Sequence, residues 1–432
     1  MKWLATVSTG IGNMEGRRVA KRLELRAIVV GAGIVGAAIA FRLAEAGASV
    51  TVVDRAFPGA GTSGATFSWL NSFNKPPLEY HRLNVLGIAE HRVIAEEIGS
   101  QDCLHLDGGL MWEYAEPEAE VAQRTDNDEP TAGDAGRYVD LTTELARGGL
   151  AAKIESCRVL GYAIDEITVA DAQKLEPDLV VDPSRVRAVY LMPGDGWVES
   201  RGLAHRLCTA AARRYGAKLA LGEEVQSVSC HTGESPVVEL RDGRTLGADV
   251  VINAAGADAG ILASRSGVEL TIERSLGVSF VSGSAPSQLR HVVHAPGTTL
   301  RPDAATRVMI RVEGMDAELV EGQVWSPSDR RCDEVIARAS QVMPNLRYVG
   351  IESVRVGIRP VPSDGISVVG VDPRAPGLYH VVTHSGATLA PALARLVCAD
   401  LSGLPVPELE SFRLDRLRET RSRGAVSIGE PG

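Results

Sequence analysis

Three glycines and one acid carry the first recognisable chemistry of this chain. Gly31, Gly33 and Gly36 follow an apolar strand that begins at Leu25, at G-x-G-x-x-G spacing, and Asp54 closes a second strand at 49–53. This spacing suits a dinucleotide. The first glycine permits a tight turn, the second lets the backbone approach a pyrophosphate, and the third lets a helix pack closely on its strand. A helix expected over Val35 to Ala46, with Ile34 just before it, follows, so its positive dipole end faces the phosphates. Gly47 is placed to end it, and Asp54, followed by Arg55, is placed to accept ribose hydroxyls.

Leu78 to Ile98 has helical apolar spacing, and Ser200 is placed to cap a helix to about Tyr215. The runs 218–221, 225–229, 237–240 and 250–252 read as a meander, and 359–365 reads as a loop. Small-residue turns recur after strands. Gly59 to Thr66 includes Thr62-Ser63-Gly64-Ala65-Thr66, the run 250–252 leads into Asn253-Ala254-Ala255-Gly256, and 378–382 leads into Thr383-His384-Ser385-Gly386-Ala387-Thr388-Leu389. A nicotinamide cofactor needs essentially the first such turn. FAD is longer and is buried in an extended form, so four turns favour a flavin.

These pieces together resemble the D-amino-acid oxidase family of FAD-dependent oxidoreductases, which holds glycine and sarcosine oxidases and related D-amino-acid dehydrogenases. The matching segments are 29–36, 61–66, 252–257, Arg359-Pro360-Val361-Pro362-Ser363-Asp364-Gly365 and 384–391, spread over about residues 26–405. The resemblance implies an α/β fold: a Rossmann-like FAD-binding domain of glutathione-reductase type with an α+β substrate domain on a large mixed or antiparallel sheet. It implies that Asp54, more often Glu in the family, holds the adenosine ribose and that Ser63 and Gly64 meet the pyrophosphate. Val225 brackets the adenine, and Ala65 and Thr66 run beside the flavin ring. Arg55, Thr62, Ala255, Gly256, Arg359 and the 385–389 turn complete the expected cofactor shell. A helix N-terminus at 385–388, capped by Ser385, would also stabilise negative charge at the flavin pyrimidine edge. Some sarcosine-oxidase relatives tether FAD through a cysteine near here; Gly357 stands at that place, so FAD is expected to be non-covalent.

Two residues are singled out for catalysis. Arg359 is expected to anchor a substrate carboxylate, because a guanidinium fork reads carboxylates bidentately, and His384 lies at the flavin turn. Arg359 or Arg355 could instead be a structural ion-pair residue. Arg274, Arg301, Arg307 and Arg311 are rival anchors, and Trp69, Tyr80 and His81 could line the pocket or belong to the core. The family mechanism needs no obligatory general base, since a neutral amine gives its hydride directly to the flavin. Lysines are few: Lys2, Lys21, Lys75, Lys153, Lys174 and Lys218.

The 432 residues suffice for two domains. The expected cofactor domain comprises 25–80, 190–272 and 352–412, and the substrate domain 81–189 and 273–351. Residues 1–24 are expected to be a disordered extension, 115–150 an acidic surface insertion or mobile loop, and 413–432 a tail. A net charge of −10 disfavours nucleic acid or an anionic membrane as the main partner. No stretch is apolar enough for a membrane span, and the six scattered cysteines suggest reduced thiols, a cytoplasmic setting and no metal site. The expected partners are a small amine or amino-acid substrate and oxygen or an electron carrier. Three other readings stay open: a non-catalytic FAD-binding subunit or assembly factor, flavin oxidation of a specialised substrate such as a secondary amine or a non-amino acid, and a nicotinamide dehydrogenase.

Overall fold

The computed structural model describes residues 22–115, 149–304 and 306–417. The expectations for residues 1–21, for 116–148 and for 418–432 lie outside the described residues. Two sheets organise the rest. The first has six strands in the order Val368–Val371, Leu378–Val382, Val250–Asn253, Arg26–Val30, Ser49–Asp54, Lys218–Leu221, all parallel except the first. Its central strands are runs of Val, Ile and Ala buried on both faces, as a parallel sheet covered on both sides requires. Helices Ile34–Glu45, Ser200–Tyr215 and Gly386–Leu401 cover one face. Helix Ala259–Arg265 and a three-stranded antiparallel sheet cover the other.

The second sheet has eight strands in the order Ile351–Pro362, Ile272–Ser282, Arg307–Val312, Thr298–Asp303, Val292–Ala295, Gly109–Tyr114, Val186–Met192, Asp165–Ile167. Only Val292–Ala295 and Gly109–Tyr114 pair in parallel, so the sheet is mixed and mostly antiparallel. Leu110, Val293, Leu300 and Ile310 face a core closed by helix Arg331–Val342. Side chains alternate along strands, so Met111, His294, Arg301, Met309 and Arg311 point the other way, towards the six-stranded sheet. The α/β fold with its two unlike sheets is the one expected.

Several local expectations are corrected. The runs 218–221, 225–229, 237–240 and 250–252 read as one meander, but the first and last belong to the parallel sheet. Only Val225–Ser229 and Val237–Leu240 pair as an antiparallel hairpin arm, with Thr245–Gly247 across the Asp242-Gly243 turn. Residues 359–362 are not loop; they end strand Ile351–Pro362, which lies in the eight-stranded sheet rather than with the cofactor strands. Helix Ser200–Tyr215 is capped by Glu199, whose carboxylate accepts the Gly202 N–H, and not by Ser200.

The glycine turn explains how the first helix docks. Gly31 has φ +103°, and a Cβ there would fall on the Ala254 carbonyl; a Cβ at Gly36 would fall on the Gly31 carbonyl oxygen. Both obstacles are backbone and cannot swing aside. Gly36→Ala should therefore cost about 3 kcal/mol by overpacking, read from urea unfolding of the FAD-free protein. A loss within experimental scatter would mean the helix does not rely on this contact.

Candidate functional site

Turns that the sequence singled out come together in the fold: Gly31 packs on Ala254, Gly33 lies beside Ser63, and Gly386 lies beside Val35. Helices Ile34–Glu45 and Gly386–Leu401 begin beside each other without side-chain caps; a Cβ on Gly386 would stand 3.2 Å from Val35 Cγ2. Each uncapped helix N-terminus leaves backbone N–H groups free for an anion, a donor set that suits a dinucleotide. At the first N-terminus Ser63 Oγ accepts the Ile34 N–H at 3.0 Å, and a Cβ on Gly33 would approach that hydroxyl at 3.3 Å. Asp54 spends one lone pair on each oxygen, accepting Ala32 N–H at 2.7 Å and Ala56 N–H at 2.8 Å, and keeps a second on each for a hydroxyl donor. Arg55 pairs with Asp258 at 2.8 Å, which ties the Asp54 turn to the one after Ala255 and Gly256. Thr62–Ala65 forms one helical turn, anchored by Thr62 Oγ1 donating to Ile358 O at 2.6 Å. Gly357 lets the long strand close on that turn, since a Cβ there would stand 3.2 Å from Ala65 Cβ. Val225 sits at a β-bulge at the start of its strand. One residue was missed: Arg201, at the start of Ser200–Tyr215, bonds Gly64 O at 3.2 Å and fills the place a Gly64 side chain would need. Nothing local marks it, because it meets the loop only in the fold.

The C-terminal turn differs from expectation in one respect. Ser385 occupies the N-cap position of Gly386–Leu401 but does not cap it. Its hydroxyl instead accepts from Tyr80 OH at 2.8 Å and from Lys75 Nζ at 3.2 Å. His384 Nε2 lies 3.2 Å from Tyr80 OH and 3.1 Å from Gly365 O. Desolvation by surrounding protein, then the charge of Lys75, holds His384 below the usual imidazole range. His384 is therefore neutral at pH 7. Thr388 Oγ1 reaches Trp69 O at 3.3 Å, and His91 Nε2 lies 2.6 Å from Ala387 O, so the first helical turn is fixed from two sides.

With this geometry in view, the chain can be set beside known proteins. Residues 26–399 match the family model described as FAD dependent oxidoreductase, DAO. The chain belongs to that family. Glycine oxidase of Geobacillus kaustophilus is 27% identical over 412 residues, covering 93% of this chain and 98% of that protein. Its crystal structure superposes with a TM-score of 0.73 at 24% identity, over 90% of this chain and 98% of that one. D-amino acid dehydrogenase of Cereibacter sphaeroides is 26% identical over 94% of this chain and 98% of its own length. The structure of L-proline dehydrogenase from P. horikoshii superposes with a TM-score of 0.72 at 20% identity, over 92% of this chain and 98% of that one. The structural likenesses establish the fold, and family membership makes this an FAD-dependent oxidoreductase whose residues fit the cofactor.

At the eight-stranded sheet lies a cavity of about 360 Å³ whose walls include Met111, His294, Thr299, Arg311 and Glu313. Strand register explains the grouping: Met111 pairs with His294, His294 with Thr299 and Thr299 with Arg311, so one row crosses three strand boundaries. Trp69 closes the row, its ring 4.0 Å from His294. Burial, then the charge of Arg311, drives His294 down to about 3, and its buried Nε2 has no protein partner. Of the expected anchors, Arg359 and Arg311 share Asp316 Oδ2 at 2.7 and 2.5 Å. Arg274 is tied to Asp258 and Glu321, Arg307 to Glu352 and Arg355 to Asp303, while Arg301 is buried against Phe67 O. His81 is core, its Nδ1 2.8 Å from Ser72 Oγ; Tyr80 supports the C-terminal turn.

Sequence reasoning also missed a buried polar set beside Trp69. Asp195, fully buried, accepts Trp69 Nε1–H at 2.8 Å and the Tyr162 hydroxyl, while Lys75 donates to Asn84 Oδ1 at 2.9 Å. Burial pulls Lys75 from 10.5 down to about 7 and pushes Asp195 from 3.8 up to about 7. Folded Lys75 therefore binds fewer protons than unfolded Lys75 between about 7 and 10.5, so its contribution to stability rises with pH across that window. Asp195 binds more protons folded than unfolded between 3.8 and about 7, so its contribution falls as pH rises there.

Two measurements check this picture. The Tm of FAD-free Lys75→Met, relative to wild type, should increase as pH is lowered from above 10.5 to about 7; a flat difference would show that the amine is hydrated. Acid precipitation of the holoenzyme should leave FAD in the supernatant, because Gly357 holds no sulfur to tether it; yellow protein in the pellet contradicts this.

Proposed function

We infer that the protein oxidises the C–N bond of a carboxylate-bearing amine, an amino acid or an N-substituted amino acid, to an imine that water then hydrolyses. The observation that carries this reading is the Arg311–Asp316–Arg359 cluster: two guanidinium groups share one carboxylate, so one positive charge is left over beside the cavity. A surplus guanidinium at a half-buried site is matched by a ligand carboxylate better than by water. The relatives named as glycine oxidase and D-amino acid dehydrogenase lend the same substrate class.

Bound FAD would supply the electron acceptor for the carbon next to nitrogen. The chain's own residues have the remaining work. Arg311, helped by Arg359, holds the carboxylate, and His294 Nε2 offers a hydrogen bond to the substrate. Trp69 and Met111 wall off water, and orientation then carries most of the catalysis. A base is not required: His294 is held neutral, and the acid on the cavity wall, Glu313, is solvent-exposed. The volume suits a small ligand.

Anaerobic mixing with a panel of D-, L- and N-alkyl amino acids, and with amines lacking a carboxylate, tests the reading. The carboxylated amines should bleach the flavin and the others should not; bleaching by none would favour a non-catalytic FAD-binding subunit. Arg311→Met should raise KM for the carboxylated substrate on the order of 10- to 100-fold, the loss of a charged hydrogen bond worth about 1.5–3 kcal/mol. An unchanged KM would remove Arg311 from the carboxylate site.

A further inference from the structure

Lys75 sits where a lysine is least expected. It lies in the segment leading into helix Leu78–Ile98, half-buried against the first turn of Gly386–Leu401. Its ammonium has two neutral hydrogen-bond acceptors, Asn84 Oδ1 and Ser385 Oγ, and among the described residues no carboxylate bonds to it. The buried acid that feels its charge, Asp195, is engaged by Trp69 and Tyr162 instead. The ammonium also lies at the positive end of a 16-residue helix, where a cation is repelled rather than attracted. Burial and the helix field thus oppose the charge together, and hydrogen bonds to an amide and a hydroxyl do not cancel them. The arrangement makes sense if negative charge arrives at that helix end from a bound group.

We propose that Lys75 is the fixed positive charge that stabilises the flavin once it has taken up electrons, acting at the N-terminus of the Gly386–Leu401 helix through Ser385. In the oxidised state the ammonium is poorly compensated; in the two-electron-reduced state the added negative charge compensates it. Lys75 thereby raises the tendency of the bound flavin to accept electrons. Its proton is held easily in one state and loosely in the other, in keeping with an amine whose burial pulls it to about 7. The role is that of a positioning charge, separate from substrate binding. It rests on membership of an FAD-dependent family and not on the amine-oxidation reading.

The redox measurements use the holoenzyme without any amine, and KM for carboxylated amines is measured separately. The midpoint potential of the flavin, and the affinity of the oxidised flavin for sulfite, an anion-forming probe of the same electron-accepting position, are measured in wild type, Lys75→Met and Lys75→Gln. Both variants should shift the redox equilibrium at least tenfold towards oxidised flavin, about 30 mV for a two-electron couple, and weaken sulfite binding about tenfold. Lys75→Gln can keep hydrogen bonds to Asn84 and Ser385, so it separates charge from packing if Lys75→Met loses FAD. Potentials and sulfite affinities within twofold of wild type would overturn the proposal. So would a raised KM for carboxylated substrates at unchanged potential, which would make Lys75 a substrate ligand.

Discussion

One buried guanidinium joins the two halves of this molecule. Arg301 rises from the eight-stranded sheet and donates Nε–H to Phe67 O at 2.6 Å, Nη1–H to Pro302 O and Nη2–H to Met309 Sδ. Its plane lies 4.2 Å from the Trp197 ring, which in turn stacks on His105 at 4.0 Å. Burial lowers its pKa to about 10, so it remains charged at neutral pH, with Asp303 at 3.7 Å as its counter-ion. Phe67 directly follows Thr66, the last residue of the flavin-flanking turn. On the neighbouring strand, Arg301 pairs with Met309 and Thr299 with Arg311. The Thr299–Arg311 pair is thus set two residues, about 7 Å, along the same hairpin from the clamp. The distance from the 62–66 turn to Arg311 is a matter of strand register rather than of loop conformation.

The same seam explains why so much polarity is buried. Each sheet completes its apolar core on its far side or against its own helices, and the cleft between them is left to side chains that must pair individually. Ser72 with His81, Tyr162 and Trp69 with Asp195, and Tyr80 and Lys75 with Ser385 are three such sets. A buried polar group is tolerated only when bonded, so each set fixes its members to one geometry. Trp69 shows the consequence: its indole N–H is committed to Asp195, its carbonyl accepts Thr388 Oγ1–H, and its ring is held against His294.

What could be read in the sequence follows the reach of each constraint. Gly31, Gly33 and Gly36 were legible because a tight turn and a close helix approach demand missing side chains at fixed spacing. The run 378–382 and helix Leu78–Ile98 were legible from local periodicity. Arg359-Pro360-Val361-Pro362 read as loop because proline lacks the ladder N–H. It is strand because Ile351–Pro362 is the outermost strand of its sheet, where one side of each residue needs no partner. The runs 218–221 and 250–252 were found but given to the wrong sheet, since alternation within a strand says nothing about its neighbour. Ser385 had the residue type of a cap, but tertiary donors from Tyr80 and Lys75 claim its oxygen. Lys75, Asp195 and Arg201 were invisible as site residues, because their partners lie between 9 and 310 positions away and only folding brings them together.

Charge shows how the site and the surface differ. The chain carries −10 overall, yet the groups turned towards the cleft are Arg311, Arg359, Arg201 and Lys75, offset locally by Asp316 and Asp195. Screening confines the surface field to about 8 Å at physiological ionic strength, whereas the buried charges keep their full strength over contact distances. An acidic exterior does not draw in anions from afar, so recognition of a carboxylate has to happen at contact, after the ligand has entered. On the proposed reading a zwitterionic amino acid suits this division, having no net charge to be repelled outside and one carboxylate to match the one charge left over by the Arg311–Asp316–Arg359 cluster. A dicarboxylate would meet one surplus guanidinium with two charges and leave its second carboxylate to the exposed mouth of the cavity. On that reading, discrimination between them would fall to the Arg311–Asp316–Arg359 cluster and to how far Asp316 already neutralises it.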